Sequence, residues 1–307
     1  MKKLMKKKVN VFGKSVPVFV LVLIGIGLVS AALLPYFAQI TGFVTATQGL
    51  SVDGESWDTV ALTYSDTITS LENKTVSSDN HELQNTAEVD GVVTLDTICE
   101  TGEPDGEPND CDGIITTPIF QLGLPSASEP NQVQDRVVTK GTTTLNGITS
   151  LSFDYMLTEP TGTKSPYFVL ALDTTGDGIQ DKVAVSWQDN DMDDDQWFDY
   201  DGIVNRDWHP GDGVTKTTFD AIKLQFPTAV VVEVKVMLGY WGDPSTTNTL
   251  VKNIEVNGES AIDKGIIVPD NSAEDINGHV DFFIETYFPK MLMPDTYTIT
   301  TTVNLAK

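Results

Sequence analysis

Tyr167–Trp187 reads YFVLALDTTGDGIQDKVAVSW. Its two ends, YFVLAL and DKVAVSW, are short apolar runs rich in Val, Leu and aromatic residues. Between them lie Asp173–Asp181, a stretch of Asp, Gly and Thr that suits a tight reversal. The simplest reading is two strands joined by a turn. A second reading stays open, because an acidic Gly-containing turn is also what a hard cation needs.

The pattern repeats outward in both directions. TVALTY, GVVTLDTI, SLSFDYML, AIKLQF, VVVEVKVML, VKNIEVNG, HVDFFIETYF and TYTITTTV are all short runs of β-branched and aromatic residues. Gly, Pro, Asn and Asp separate them at spacings of about 8–12 residues. Helical periodicity is almost absent after Phe37. The expected class is therefore all-β, of sandwich type.

A chain of 307 residues exceeds what one core usually needs, so two domains are expected. LPSASEPNQ, Leu124–Gln132, and the acidic NGESAIDKGIIVPDNSAEDINGH segment read as boundaries. The block at 133–260 has strands enough for its own core and holds Trp187, Trp197, Trp208 and Trp241. The flanks at 51–125 and 268–307 have too few strands alone and must combine. This predicts two jelly-roll-type β-sandwiches, the second inserted into the first, after an N-terminal apolar signal or anchor segment.

Charge sharpens the picture. Lys and Arg number 19 against 44 Asp and Glu, a net −25. Six of the cations, Lys2, Lys3, Lys6, Lys7, Lys8 and Lys14, precede the apolar run. Without them the balance is 13 against 44, or −31. Such a surface repels nucleic acid and anionic lipid. The basic start, the apolar Val16–Val29 and the small residues near Ala31 and Ala32 form an export signal over 1–31. The alternative is an uncleaved anchor, since Val16–Phe37 carries no charge and is long enough to span a bilayer. Either way the remainder lies outside the cell or on its surface. Cys99 and Cys111 are the two cysteines, and in an exported chain they read as one disulfide.

Three segments then carry a resemblance. FVTATQGLSVDG follows the signal, HELQNTAEVDGVVTLDTICE comes next, and FFIETYFPKMLMPDTYTITTTV closes the chain. The closing motif is Pro294, Thr296, Tyr297, Ile299 and Val303. This ordering resembles the TasA/camelysin-like surface proteins of bacteria and archaea, including archaeal bundling-pilus subunits. The large insert departs from it. The resemblance implies a jelly-roll subunit of a surface filament or layer, whose strand after the signal, here within 32–50, is donated to the next copy. Ile40, Val44 and Ala46 would then face the neighbour's core, with Gly42 allowing close approach. Pairing within its own chain is the competing reading. The expected partners are copies of the same chain, joined head to tail.

The insert resembles carbohydrate-binding jelly-roll modules through SLSFDYML, SPYFVLALDTTGDG, KVAVSW and LVKNIEVNG. That implies glycan stacking on Trp197, Tyr200, Trp208, Tyr240 and Trp241, which lie near turns. Ordinary core packing is the bland alternative for large aromatics. A monomeric or anchored glycan-binding adhesin is thus the rival function. Asp173, Thr175, Asp177, the Ile179 carbonyl and Asp181 match the first positions of a Ca²⁺ loop, but Ala184 stands where its bidentate acid belongs. Asn73 begins the single glycosylation sequon. HELQN, His81–Asn85, lacks the second His of a zinc motif. No nucleophile elbow, Cys–His pair or phosphate loop is present, so no enzymatic activity is expected.

Overall fold

The computed structural model describes residues 8–11, 14–17, 50–56, 59–68, 72–86, 90–101, 111–123, 135–158, 165–187, 196–204, 206–238, 248–269, 279–290, 292 and 295–305. Residues 1–48 form one unit, in which β1 (Lys8–Val11) and β2 (Lys14–Pro17) make an antiparallel hairpin. The alternating Val9, Val11 and Val16 suit that pairing, which the sequence reading did not anticipate. Most of the expected signal segment, and all of Ile40, Gly42, Val44 and Ala46, lie outside the described residues. No helix among the described residues is long and apolar enough to cross a membrane.

Residues 49–307 form the second unit. Its strands are β3 (Leu50–Val52), β4 (Glu55–Ser56), β5 (Thr59–Ile68), β6 (Lys74–Ser77), β7 (His81–Asn85), β8 (Gly91–Thr101), β9 (Ile115–Gly123), β10 (Asp135–Thr144) and β11 (Leu151–Leu157). They continue as β12 (Tyr167–Asp173), β13 (Lys182–Ser186), β14 (Phe198–Asp201), β15 (Trp208–His209), β16 (Val230–Leu238) and β17 (Asn248–Val256). The last are β18 (Glu259–Ser260), β19 (Ile266–Val268), β20 (His279–Phe288) and β21 (Asp295–Leu305).

Two antiparallel sheets face each other. One runs β15-β13-β12-β16-β10-β19-β8-β21-β5, the other β14-β11-β17-β9-β20-β7-β3-β4. The period-2 pattern sets their faces. In β11, Leu151, Phe153, Tyr155 and Leu157 are buried while the residues between them are not. β12, flanked by β13 and β16, is buried along its whole length.

The strands of 133–260 lie together at one end of both sheets, and those of the flanks at the other. The seam is bridged by hydrogen bonding, β10 to β19 to β8 in one sheet and β17 to β9 in the other. One apolar core runs through both ends, from Val52, Leu83 and Val93 to Val137, Phe153 and Phe168. The insert and the flanks are thus halves of a single sandwich rather than two separately packed sandwiches. A further departure is AIKLQF, read as a strand from its alternation. Phe219–Gln225 is instead a short helix, α1, whose N-terminus is capped by Thr218 Oγ1 accepting from the Ala221 N–H at 3.2 Å. Gly141 sits where β10 bulges against β16. A side chain there would meet the Val231 carbonyl at 2.3 Å.

Cys99 on β8 and Cys111 before β9 are bonded, with Cα atoms 6.1 Å apart. The bridge packs against a small second core of Phe288, Leu292, Tyr297 and Ile299. Reducing it is expected to lower stability by about 3 kcal/mol, read as the shift of a urea melt with and without reductant.

Candidate functional site

The two sheets have four edges, and they are unequal. β15 and β4 are two residues long and β14 is four. β5 has ten residues and pairs, among the described residues, with β21 alone. Its register against β21 runs from Asp295↔Ile68 to Asn304↔Thr59 without a bulge. The strand TVALTYSDTI contains no Pro and no Lys. Sheet edges are usually blunted by shortness, bulges, Pro, Lys or an inward-pointing charge, and of these β5 has only the last, Asp66 near its C-terminal end.

The two faces of β5 differ. Outward, Thr63, Ser65 and Thr67 meet Thr300, Thr298 and Thr296 of β21 through hydroxyl pairs at 3.1, 3.0 and 3.1 Å. Such cross-strand pairs stabilise the pairing of β5 with β21. Inward, Val60, Leu62 and Tyr64 pack on the core yet are only partly buried. The Tyr64 hydroxyl hydrogen-bonds Thr286 Oγ1, and burial pushes its pKa up. Asp66 pairs with Lys74 of β6, linking the sheets at this end. The arrangement offers open backbone groups on one side and an incompletely covered apolar row beneath.

The aromatic candidates divide. Tyr200 and Trp208 are fully buried and cannot stack on a sugar. Tyr200 lies parallel to Phe153 at 4.6 Å, and its hydroxyl donates to the Trp187 carbonyl at 2.8 Å. Trp208 packs against Phe219, and its indole N–H donates to the Gly202 carbonyl at 2.7 Å. Their polar tips find backbone partners, which lets such large rings sit in the interior. Trp197 is half-buried, with the Lys252 ammonium 3.9 Å from its ring centre. Tyr240 and Trp241 lie outside the described residues.

The 173–181 turn joins β12 to β13 in a hairpin, closed by the Asp181 N–H donating to the Leu172 carbonyl at 3.0 Å. Its oxygens are engaged by the loop itself. Asp173 accepts from the N–H groups of Thr175, Gly176 and Gly178, and these hydrogen bonds hold its pKa down. Asp177 accepts from the Ile179 N–H, and Asp181 from the N–H and hydroxyl of Thr174. Among the described residues no three His, Cys, Asp or Glu side chains converge as a metal requires. Gly176 and Gly178 have φ of +85° and +83°, the left-handed geometry that glycine adopts freely.

His81–Asn85 is strand β7, and His81 Nδ1 lies 2.9 Å from Asp53 Oδ2. Asn85 is buried and donates to the Val268 carbonyl at 3.1 Å. Asn73 is exposed in a turn, and its side-chain oxygen accepts from the Lys290 N–H at 3.0 Å. The edge β5 had a sequence signal, a long alternating run free of Pro and Lys. Its position at a sheet margin had none.

No family model matches the chain, and no curated protein does. Among solved structures the chain is similar to the infectious bursal disease virus Gt strain, at 6% identity and a TM-score of 0.21 over 85% of this chain and 82% of that one. It is similar to the same degree to an infectious bursal disease virus VP2 subviral particle, at 8% identity and a TM-score of 0.20 over 85% and 82%. Scores this low carry no argument about what this chain does.

Proposed function

We propose that this chain is a non-enzymatic, exported surface protein that polymerises by lending its N-terminal strand to another copy. The observation that supports this is β5, the one long sheet edge among the described strands, regular, guarded only by the inward-facing Asp66 near one end, and backed by a half-covered apolar row. An added strand would satisfy its free N–H and C=O groups and cover Val60, Leu62 and Tyr64. The alternating segment within 32–50 has a length that matches β5. A head-to-tail contact of this kind does not close on itself and builds a filament. The resemblance to TasA/camelysin-like subunits, carried by the quoted motifs, points the same way. The carbohydrate-binding adhesin is the weaker reading, since Tyr200 and Trp208 lie in the core.

A peptide of residues 33–48 added to a chain starting at Gly49 tests the edge directly. The expected result is a one-to-one complex by calorimetry, lost in Leu62→Lys, which puts an inward-pointing charge on the edge strand. Absence of binding to the unaltered chain would remove the proposal.

A further inference from the structure

We propose that the Cys99–Cys111 bridge gates the β5 edge, so that the edge accepts a strand when the bridge is closed and not when it is open. The inference rests on the reading of β5 as the strand acceptor.

Bridge and edge lie on one ring of contacts. In the first sheet, Ile299 of β21 stands opposite Cys99 of β8 on one side and Tyr64 of β5 on the other. The three form a row across the sheet. Towards the second sheet, Cys111 leads into β9 through a turn in which the Ile114 N–H donates to the Cys111 carbonyl at 3.1 Å. Thr116 of β9 stands opposite Thr286 of β20, and the Thr286 and Tyr64 hydroxyls are hydrogen-bonded. The ring thus passes between the sheets at two places. One crossing is the covalent bridge and the other is the Tyr64–Thr286 hydrogen bond.

Packing divides β5 in two. Val60 and Leu62 rest on the main core. Tyr64 touches that core and also the small one of Phe288, Leu292, Tyr297 and Ile299, against which Cys99 and Cys111 both pack. Asp66, further along, pairs with Lys74 of β6, which lies beside β20. Opening the bridge removes the only covalent link in the ring other than the backbone. The freedom it releases acts on the small core and not on the whole sandwich. The stretch at 64–68 loosens while Val60 and Leu62 stay seated. A donated strand needs the edge ordered along its length. Its apparent affinity therefore falls with the fraction of chains in which the edge is ordered.

The chemistry is a reversible exchange. Both cysteines are partly exposed, so a thiolate can reach the bridge. Closing it takes two electrons and two protons from the two thiols. A disulfide of another molecule accepts them and leaves as two thiols. Opening is the reverse, with a dithiol as donor. Thiols stay reduced inside most cells and disulfides persist outside them. A gate of this kind keeps the chain from polymerising before export.

The test uses the chain from Ala32 onward with the bridge closed, opened by dithiothreitol, and reclosed by oxidised glutathione. Filament growth is followed by light scattering and electron microscopy. Hydrogen exchange is read by mass spectrometry at a concentration too low for filaments. Opening is expected to slow growth about tenfold or more, and reclosing to restore it. Exchange is expected to rise at 64–68 and at its β21 partner 295–299, while β11 and β16 of the main core keep their protection. Cys99→Ser combined with Cys111→Ser is expected to match the opened chain with no reductant present. Equal growth from the closed and opened forms, or exchange that rises equally throughout the chain, overturns the inference and leaves strand donation standing. Filaments from neither form remove strand donation, and this inference with it.

Discussion

Trp208→Ala is expected to destabilise the chain by about 3–5 kcal/mol, the cost of emptying a large buried aromatic site. Trp208 is fully buried against Phe219, and its N–H is bonded to the Gly202 carbonyl. The substitution removes the ring contacts, leaves a cavity and orphans that carbonyl. Trp197→Ala supplies the contrast. Its ring is half-buried under the Lys252 ammonium, and a loss of about 1 kcal/mol is expected. Urea melts of both variants check this. Equal midpoints would mean that Trp208 is not part of the core.

The second large effect is a fall in stability as pH rises from about 4 to about 6. Asp135 opens β10 and is almost wholly buried. Burial pushes its pKa up to about 6, although the N–H groups of Gly123 and Arg136 donate to it at 2.6 and 2.8 Å. In the unfolded chain it titrates near 3.8. Between those values the folded chain holds a proton that the unfolded chain has released. Stability therefore falls through the window, by roughly 3 kcal/mol in total.

His279 acts in the same direction. Its pKa is raised by the hydrogen bond to Asp281, so its contribution is present at low pH and fades as pH rises through the folded value. Asp212 opposes at the acid end. Hydrogen bonds from Thr215 and Val214 hold it down at about 2, and that contribution is lost as pH falls from about 4 to about 2. The optimum is thus expected near pH 4–5. Thermal melts at pH 4.5 and 7.5 are expected to differ by several degrees in favour of the lower value. Asp135→Asn should shrink that difference, which separates it from the general relief of charge repulsion at low pH. An unchanged difference in the variant would clear Asp135 of the role.

The sequence showed which residues face inward more clearly than it showed which strands are neighbours. SLSFDYML and HVDFFIETYF alternate as they do because one face of each is buried, and that pattern reads directly. The partners of β9 and β8 across the seam, β17 and β19, lie more than a hundred residues away, and alternation names no partner. Two sandwiches were therefore expected where one continuous pair of sheets forms. Trp208 and Tyr200 were misjudged for a related reason. They sit in strands of two and four residues flanked by turn formers, too short for any period to register burial. The Asp173 turn was legible as a turn, but the use of its carboxylates as acceptors for the loop's own N–H groups was not. Cys99 and Cys111 paired as their isolation suggested.

The most direct test is electron microscopy of the chain from Ala32 onward beside the same chain lacking residues 33–48. Filaments from the first and monodisperse particles from the second are the predicted result. Monodisperse particles from both, or filaments from both, would contradict assembly through the N-terminal strand.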